Sequence, residues 1–183
     1  MKAILLPALI LFALATASRA QTCREVVRDA SGRIVQTVDR QKSAGGSVQS
    51  VTRDASGRIT GTASSHTSGG STRTDYRDAS GRLTGSATTS AANTGSSRTT
   101  YRDASGRMAG SADTSKVAGT GSSTQFRDAA GRLTGSETTS GGSSGTVTGS
   151  QRDASGRLIG SSTGTGKCQG AVKVPVAPTA FKK

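Results

Sequence analysis

Twelve arginines recur along this chain in six pairs, five residues apart: Arg28 and Arg33, Arg53 and Arg58, Arg77 and Arg82, Arg102 and Arg107, Arg127 and Arg132, Arg152 and Arg157. Every pair brackets Asp, Ala, Ser or Ala, and Gly, and the Arg-Asp-Ala-Ser/Ala-Gly-Arg unit advances in steps of 25, 24, 25, 25 and 25 residues. Guanidinium groups are planar and permanently charged, and their forked donors match phosphate and carboxylate oxygens. Twelve of them against six aspartates form a candidate array for polyanions such as lipopolysaccharide, acidic polysaccharide or nucleic acid, and so for cell-envelope components. The plainer alternative is that they pair with the adjacent aspartates and keep a Ser/Thr-rich surface soluble. Stacking on single-stranded nucleic acid would need more aromatics than Tyr76, Tyr101 and Phe126, the three within the repeats.

Catalytic groups are scarce. His66 is the one histidine and sits in a Ser/Thr/Gly spacer. The two cysteines, Cys23 and Cys168, are too far apart for a zinc or redox motif, and no His/Cys/Asp/Glu cluster has metal-ligand spacing. Six aspartates could in principle pair as acid and base, but each has a turn-forming role. No serine is marked by a nearby base, and the Gly-rich spacers lack the strand–Gly–Lys–helix context of a phosphate loop. These residues imply a non-enzymatic chain without cofactor or metal.

The positioning elements follow from the same unit. Asp opens a type I turn because its carboxylate accepts hydrogen bonds from N–H groups just ahead, and Gly three residues on takes positive φ without steric cost. The pairs are Asp29 and Gly32, Asp54 and Gly57, Asp78 and Gly81, Asp103 and Gly106, Asp128 and Gly131, Asp153 and Gly156. A type I turn followed by left-handed Gly is a common three-residue hairpin connection. Each repeat therefore reads as two short strands around a tight turn.

Two registers are open. A three-residue loop sets Arg77 opposite Leu83 and Tyr76 opposite Thr84. A two-residue loop sets Asp78 opposite Leu83 and Tyr76 opposite Gly85, which places Tyr76, Leu83, Gly85 and Ala87 on one face as a thin core. The second is preferred, because the glycine recurs at Gly61, Gly85, Gly110, Gly135 and Gly160, with Gln36 in its place in the first repeat. The spacers carry turn residues of their own at Gly45-Gly46, Gly69-Gly70, Asn93-Thr94-Gly95, Gly119-Thr120-Gly121 and Gly141-Gly142. Turns alternating about every 12 residues predict an all-β, up-and-down meander of up to about twelve strands, each roughly seven to nine residues long. A closed barrel or ring of six hairpin repeats is the expected form, with a β-solenoid as the alternative.

Composition pulls the other way. Residues 21–183 hold only 19 Leu, Ile, Val and Phe, and the whole chain carries a formal charge of +13, a profile typical of disordered chains. Against disorder, the spacers have diverged while the turn unit has hardly changed, so something physical holds the unit constant. Lys2, the apolar stretch Ala3 to Ala15 and Ser18-Arg19-Ala20 read as a signal peptide over 1–20. Export would carry Cys23 and Cys168 into an oxidising compartment, where a Cys23–Cys168 disulfide is expected. Closing that long loop stabilises a fold by about 5 kcal/mol on chain-entropy grounds. It also favours a closed fold, whose ends meet. The repeat domain then spans 21–168, and 169–183 is a basic, proline-containing tail.

Asp78-Ala79-Ser80-Gly81-Arg82-Leu83, preceded by Tyr76, resembles the YD repeats of Rhs-type secreted bacterial proteins. Their pattern is roughly Tyr, Asp, two variable residues, Gly, Arg and Leu on a shorter period. The resemblance touches all six copies over about eight residues each. Here Arg, not Tyr, directly precedes Asp, and the length of an Rhs shell and a toxin domain are lacking. The resemblance implies repeated β-hairpins in an exported protein; toxin encapsulation does not carry over. The expected function is structural or adhesive, in the periplasm or secreted, with polyanion binding through the arginines. A toxin-associated or secretion-system accessory role is the alternative.

Overall fold

The computed structural model describes residues 21–93, 95–141 and 145–166. The expected signal peptide, the tail and Cys168 lie outside the described residues. Twelve strands follow one another: β1 (Gln21–Asp29), β2 (Ile34–Lys42), β3 (Val48–Asp54), β4 (Ile59–Ser68), β5 (Ser71–Asp78), β6 (Leu83–Asn93), β7 (Ser96–Asp103), β8 (Met108–Lys116), β9 (Ser122–Asp128), β10 (Leu133–Gly141), β11 (Val147–Asp153) and β12 (Leu158–Gly166). Each pairs antiparallel with its sequence neighbours, and β12 returns to β1, closing a barrel. The expected closed meander is the observed fold, in place of the solenoid and of disorder.

Both registers considered for the turn contain part of the answer. Arg77 pairs with Leu83, and Tyr76 pairs with Gly85, because a β-bulge absorbs Thr84 between them. The same shift recurs in every repeat hairpin, for example at Arg53 with Ile59 and Arg102 with Met108. One extra residue reconciles a three-residue loop with an inward Tyr–Gly pair. The bulge also corrects the expected core. Leu83 shares the outward face of Arg77 and is 37% exposed, so it does not pack with Tyr76 and Ala87.

Inside, each aromatic side chain is flanked by small residues. Tyr76 sits between Gly85 and Ala63, Tyr101 between Gly110 and Ala87, and Phe126 between Gly135 and Ala112. Large beside small lets neighbouring strands fill one layer without collision. Ala63, Tyr76, Ala87, Tyr101 and Ala112 form the buried cluster, with Phe126 packed against it. Ala87 and Ala112 are each only 2% exposed. Water would reach such short side chains in an open lumen, so this part of the barrel is a packed core.

A second interior layer is made of hydroxyls that satisfy one another across strands. Ser65 bonds Thr74 at 2.8 Å, Thr89 bonds Thr99 at 2.7 Å, Thr114 bonds Thr124 at 2.9 Å and Ser122 bonds Thr139 at 2.8 Å. A polar chain can thus be buried with many of its side-chain donors and acceptors met, although the buried Ser50 hydroxyl is left without a hydrogen bond among the described residues.

The spacer turns at Gly46, Gly69-Gly70, Gly95 and Gly119 carry glycines at positive φ, as expected. The last differs: Gly141 ends β10, paired with Val147, and the positive-φ glycine is Gly145, while Gly142 lies outside the described residues. At the seam, Cys23 pairs with Gly166, two residues before Cys168 in the chain.

The recurring glycine is required by close approach of the next hairpin. A Cβ at Gly61 would lie 2.6 Å from the Arg77 carbonyl oxygen, one at Gly135 2.5 Å from that of Arg152, and one at Gly160 2.6 Å from that of Arg28. Since the obstacle is backbone, it yields only by opening the ladder. Gly135→Ala is expected to lower the unfolding free energy by about 1–3 kcal/mol. Urea titration followed by circular dichroism checks this, and an unchanged midpoint would show that the strands relax freely there.

Candidate functional site

In an antiparallel meander, alternate turns lie at opposite ends. The six turns joining β1 to β2, β3 to β4, β5 to β6, β7 to β8, β9 to β10 and β11 to β12 therefore share one rim. These are the Arg-Asp-Ala-x-Gly-Arg units, so the fold gathers all twelve candidate arginines at one end of the barrel.

Each turn is built the same way. In the third repeat the Gly81 N–H donates to the Asp78 carbonyl at 3.0 Å, and the Asp78 N–H donates to the Arg82 carbonyl at 2.9 Å. Asp78 Oδ1 accepts the N–H groups of Ser80 and Arg82, both at 2.9 Å. Gly32, Gly57, Gly81, Gly106, Gly131 and Gly156 all have φ between 80° and 85°. Asp29, Asp54, Asp103, Asp128 and Asp153 repeat the double acceptance at 2.9–3.0 Å. The expected turn residues therefore have the positions and roles read for them.

The two arginines of a pair behave differently. Arg28, Arg53, Arg77, Arg102, Arg127 and Arg152 each donate Nη1–H to the glycine carbonyl of their own turn, at 2.8–3.1 Å. They brace the turn. Arg33, Arg58, Arg82, Arg107, Arg132 and Arg157 are exposed. Among the described residues, only Arg58 of this second set makes an ion pair, with Asp54 at 3.6 Å. Pairing with the adjacent aspartate, the plainer expectation, therefore applies to one repeat. The other acids serve elsewhere: Asp39 pairs with Arg24 and Asp113 with Arg98, both at 2.6 Å, and Asp75 with Arg73 at 3.1 Å, all on the outer wall.

His66 is exposed on the outward face of β4 opposite Arg73, away from the rim. Among the described residues, no three His, Cys, Asp or Glu come together as a metal site.

Sequence reasoning missed the polar groups that point inward. Arg40, 7% exposed, bonds Glu25 at 2.6 Å inside the barrel between β1 and β2. Burial pushes the Tyr76 phenol far up, against the field of the Arg40 charge. Burial does the same to Tyr101, assisted by Tyr76 and Glu137. Two-residue alternation from Val27 would have placed Glu25 inside, and the β1–β2 register would have placed Arg40 there.

The carboxylates of Asp54 and Asp153 lie below the usual range, chiefly because the Ser56 and Ser155 hydroxyls donate to them at 2.6 Å. A depressed folded value adds stability above the unfolded pKa of about 4 and loses it as pH falls through the folded value. Carboxyl NMR titration is expected to show Asp54 protonating late in acid, and Ser56→Ala is expected to raise its midpoint. An unmoved midpoint would assign the depression to another source. Comparison of the chain with family models, curated proteins and solved structures finds no match to any of them.

Proposed function

We propose that this chain is an exported, non-enzymatic barrel with a structural or adhesive role, and that its arginine rim binds polyanions. The observation that carries the reading is the division of labour within each pair. The first arginine braces its turn and the aspartate is held by backbone N–H groups, so the second arginine projects its charge from the rim. Repetition then sets six such guanidinium groups around one end. Arginines held on a folded backbone lose less backbone freedom on engaging a polymer than the same charges on a flexible tail.

The outer wall supports a place outside the hydrocarbon of a bilayer, in the periplasm or beyond the cell. Its outward positions include Arg24, Asp39, Gln49, Arg73, Arg98 and Asp113, where a spanning barrel needs an apolar band.

Retention on a heparin matrix tests the rim directly. Arg82→Gln, Arg107→Gln and Arg132→Gln together remove three of the six projecting charges, and are expected to about halve the slope of log affinity against log salt. The triple variant Arg24→Gln, Arg73→Gln, Arg98→Gln removes equal charge from the wall and is expected to change the slope little. Equal losses would show that net charge alone retains the protein, and no retention at low salt would overturn the proposal.

A further inference from the structure

The bulge that reconciles the two registers also turns a large apolar side chain outward beneath every arginine turn. Ile34, Ile59, Leu83, Met108, Leu133 and Leu158 pair in register with the bracing arginines and are 37–47% exposed. Solubility alone would favour Thr or Ser there, as at most other outward positions of these strands.

The ring is uneven. The bulged residue itself is Thr60, Thr84, Ala109 or Thr134 in the middle repeats, but Val35 in the first and Ile159 in the last, 44% and 50% exposed. The fold makes these two repeats neighbours, since β12 pairs with β1 and β1 with β2. Ile34 with Val35 on β2 and Leu158 with Ile159 on β12 thus flank β1, about 10 Å apart across the strands at ordinary spacing and staggered along them, since the β12 residue level with Ile34 is Ser161. Arg33 and Arg157 adjoin this patch in sequence, and neither makes an ion pair among the described residues. The chain ends are distant in sequence, so only closure assembles the patch.

From this juxtaposition we infer that the seam side of the rim docks on a bilayer surface carrying phosphate-bearing anionic lipids. Apolar side chains enter the headgroup–acyl boundary while the flanking guanidinium groups meet the phosphates. A hydrophilic polyanion would use the arginines and leave the apolar ring in water. Charge complementarity selects the lipid surface over a second copy of the chain, because two identical rims would bring guanidinium groups against guanidinium groups. This deepens the polyanion reading and rests on it.

The test uses the mature protein and vesicles of zwitterionic lipid, with or without anionic phospholipid, in flotation assays beside heparin retention. The protein is expected to float only with anionic vesicles. Val35→Ser with Ile159→Ser is expected to weaken that binding about tenfold or more, since two half-exposed aliphatic chains are lost, with heparin retention unchanged. Leu83→Ser with Met108→Ser, on the far side, is expected to have a smaller effect. The chain has no tryptophan. Ile159→Trp therefore gives a clean fluorescence reporter, expected to shift to the blue with anionic vesicles. Heparin retention without flotation or a blue shift would overturn the lipid inference alone. Equal losses from the two double variants would overturn the seam assignment. A wild-type dimer that the seam variant dissociates, with no vesicle binding, would make the patch a self-interface. Loss of heparin retention in the unaltered protein would sink the polyanion reading underneath.

Discussion

Closure of the backbone ladder is the constraint on which this structure depends. A twelve-stranded sheet with so few large apolar residues cannot rest on hydrophobic burial in the ordinary way. It rests on having no edge. From Cys23 opposite Gly166 to Asp29 opposite Gly160, β1 and β12 pair along the full length of the seam, so the donors and acceptors of two would-be edge strands face each other. The glycines at Gly61, Gly110, Gly135 and Gly160 serve that closure, each allowing the arginine carbonyl of the adjoining hairpin to approach where a side chain would stand. Interior hydroxyl pairs such as Thr89 with Thr99 contribute as well, since each pair met lowers the cost of burying a Ser/Thr lining.

Much of this was legible because the turn has a strict chemical grammar. Asp78 and Gly81 specify a connection, and its recurrence every 24–25 residues specifies hairpins; alternating spacer glycines then specify a meander. The bulge at Thr84 was not legible, because no residue type requires it. Missing it put Leu83 in the core. The interior Glu25–Arg40 pair stayed hidden because charged residues are read as solvated by default, although alternation from Val27 points them inward. Composition pointed the other way, and the constancy of the turn unit outweighed it. The low apolar content that suggests disorder is compatible with folding here because polar side chains are satisfied in pairs and the sheet closes on itself.

The candidate site was half legible. Twelve arginines are evident in the sequence, but their separation into a bracing set and a projecting set is a matter of geometry. Arg77 reaches the Gly81 carbonyl from the end of β5; Arg82 lies just before the return strand and makes no such bond. A uniform charge count would treat the two alike. The fold therefore reduces the array to its second members and sets it beside apolar side chains that the bulge exposes. In the proposed reading, folding and polyanion binding use the same hexapeptide without competing for the same atoms.

The most direct test of this account is whether the seam forms without a covalent tie. With both cysteines reduced and alkylated, backbone NOEs should connect Arg24 with Thr165 and Val26 with Thr163, as they connect Tyr76 with Gly85 within a hairpin. The closed barrel predicts both sets of contacts. Hairpin contacts without seam contacts would mean an open sheet, and would contradict closure as the interaction that holds the fold.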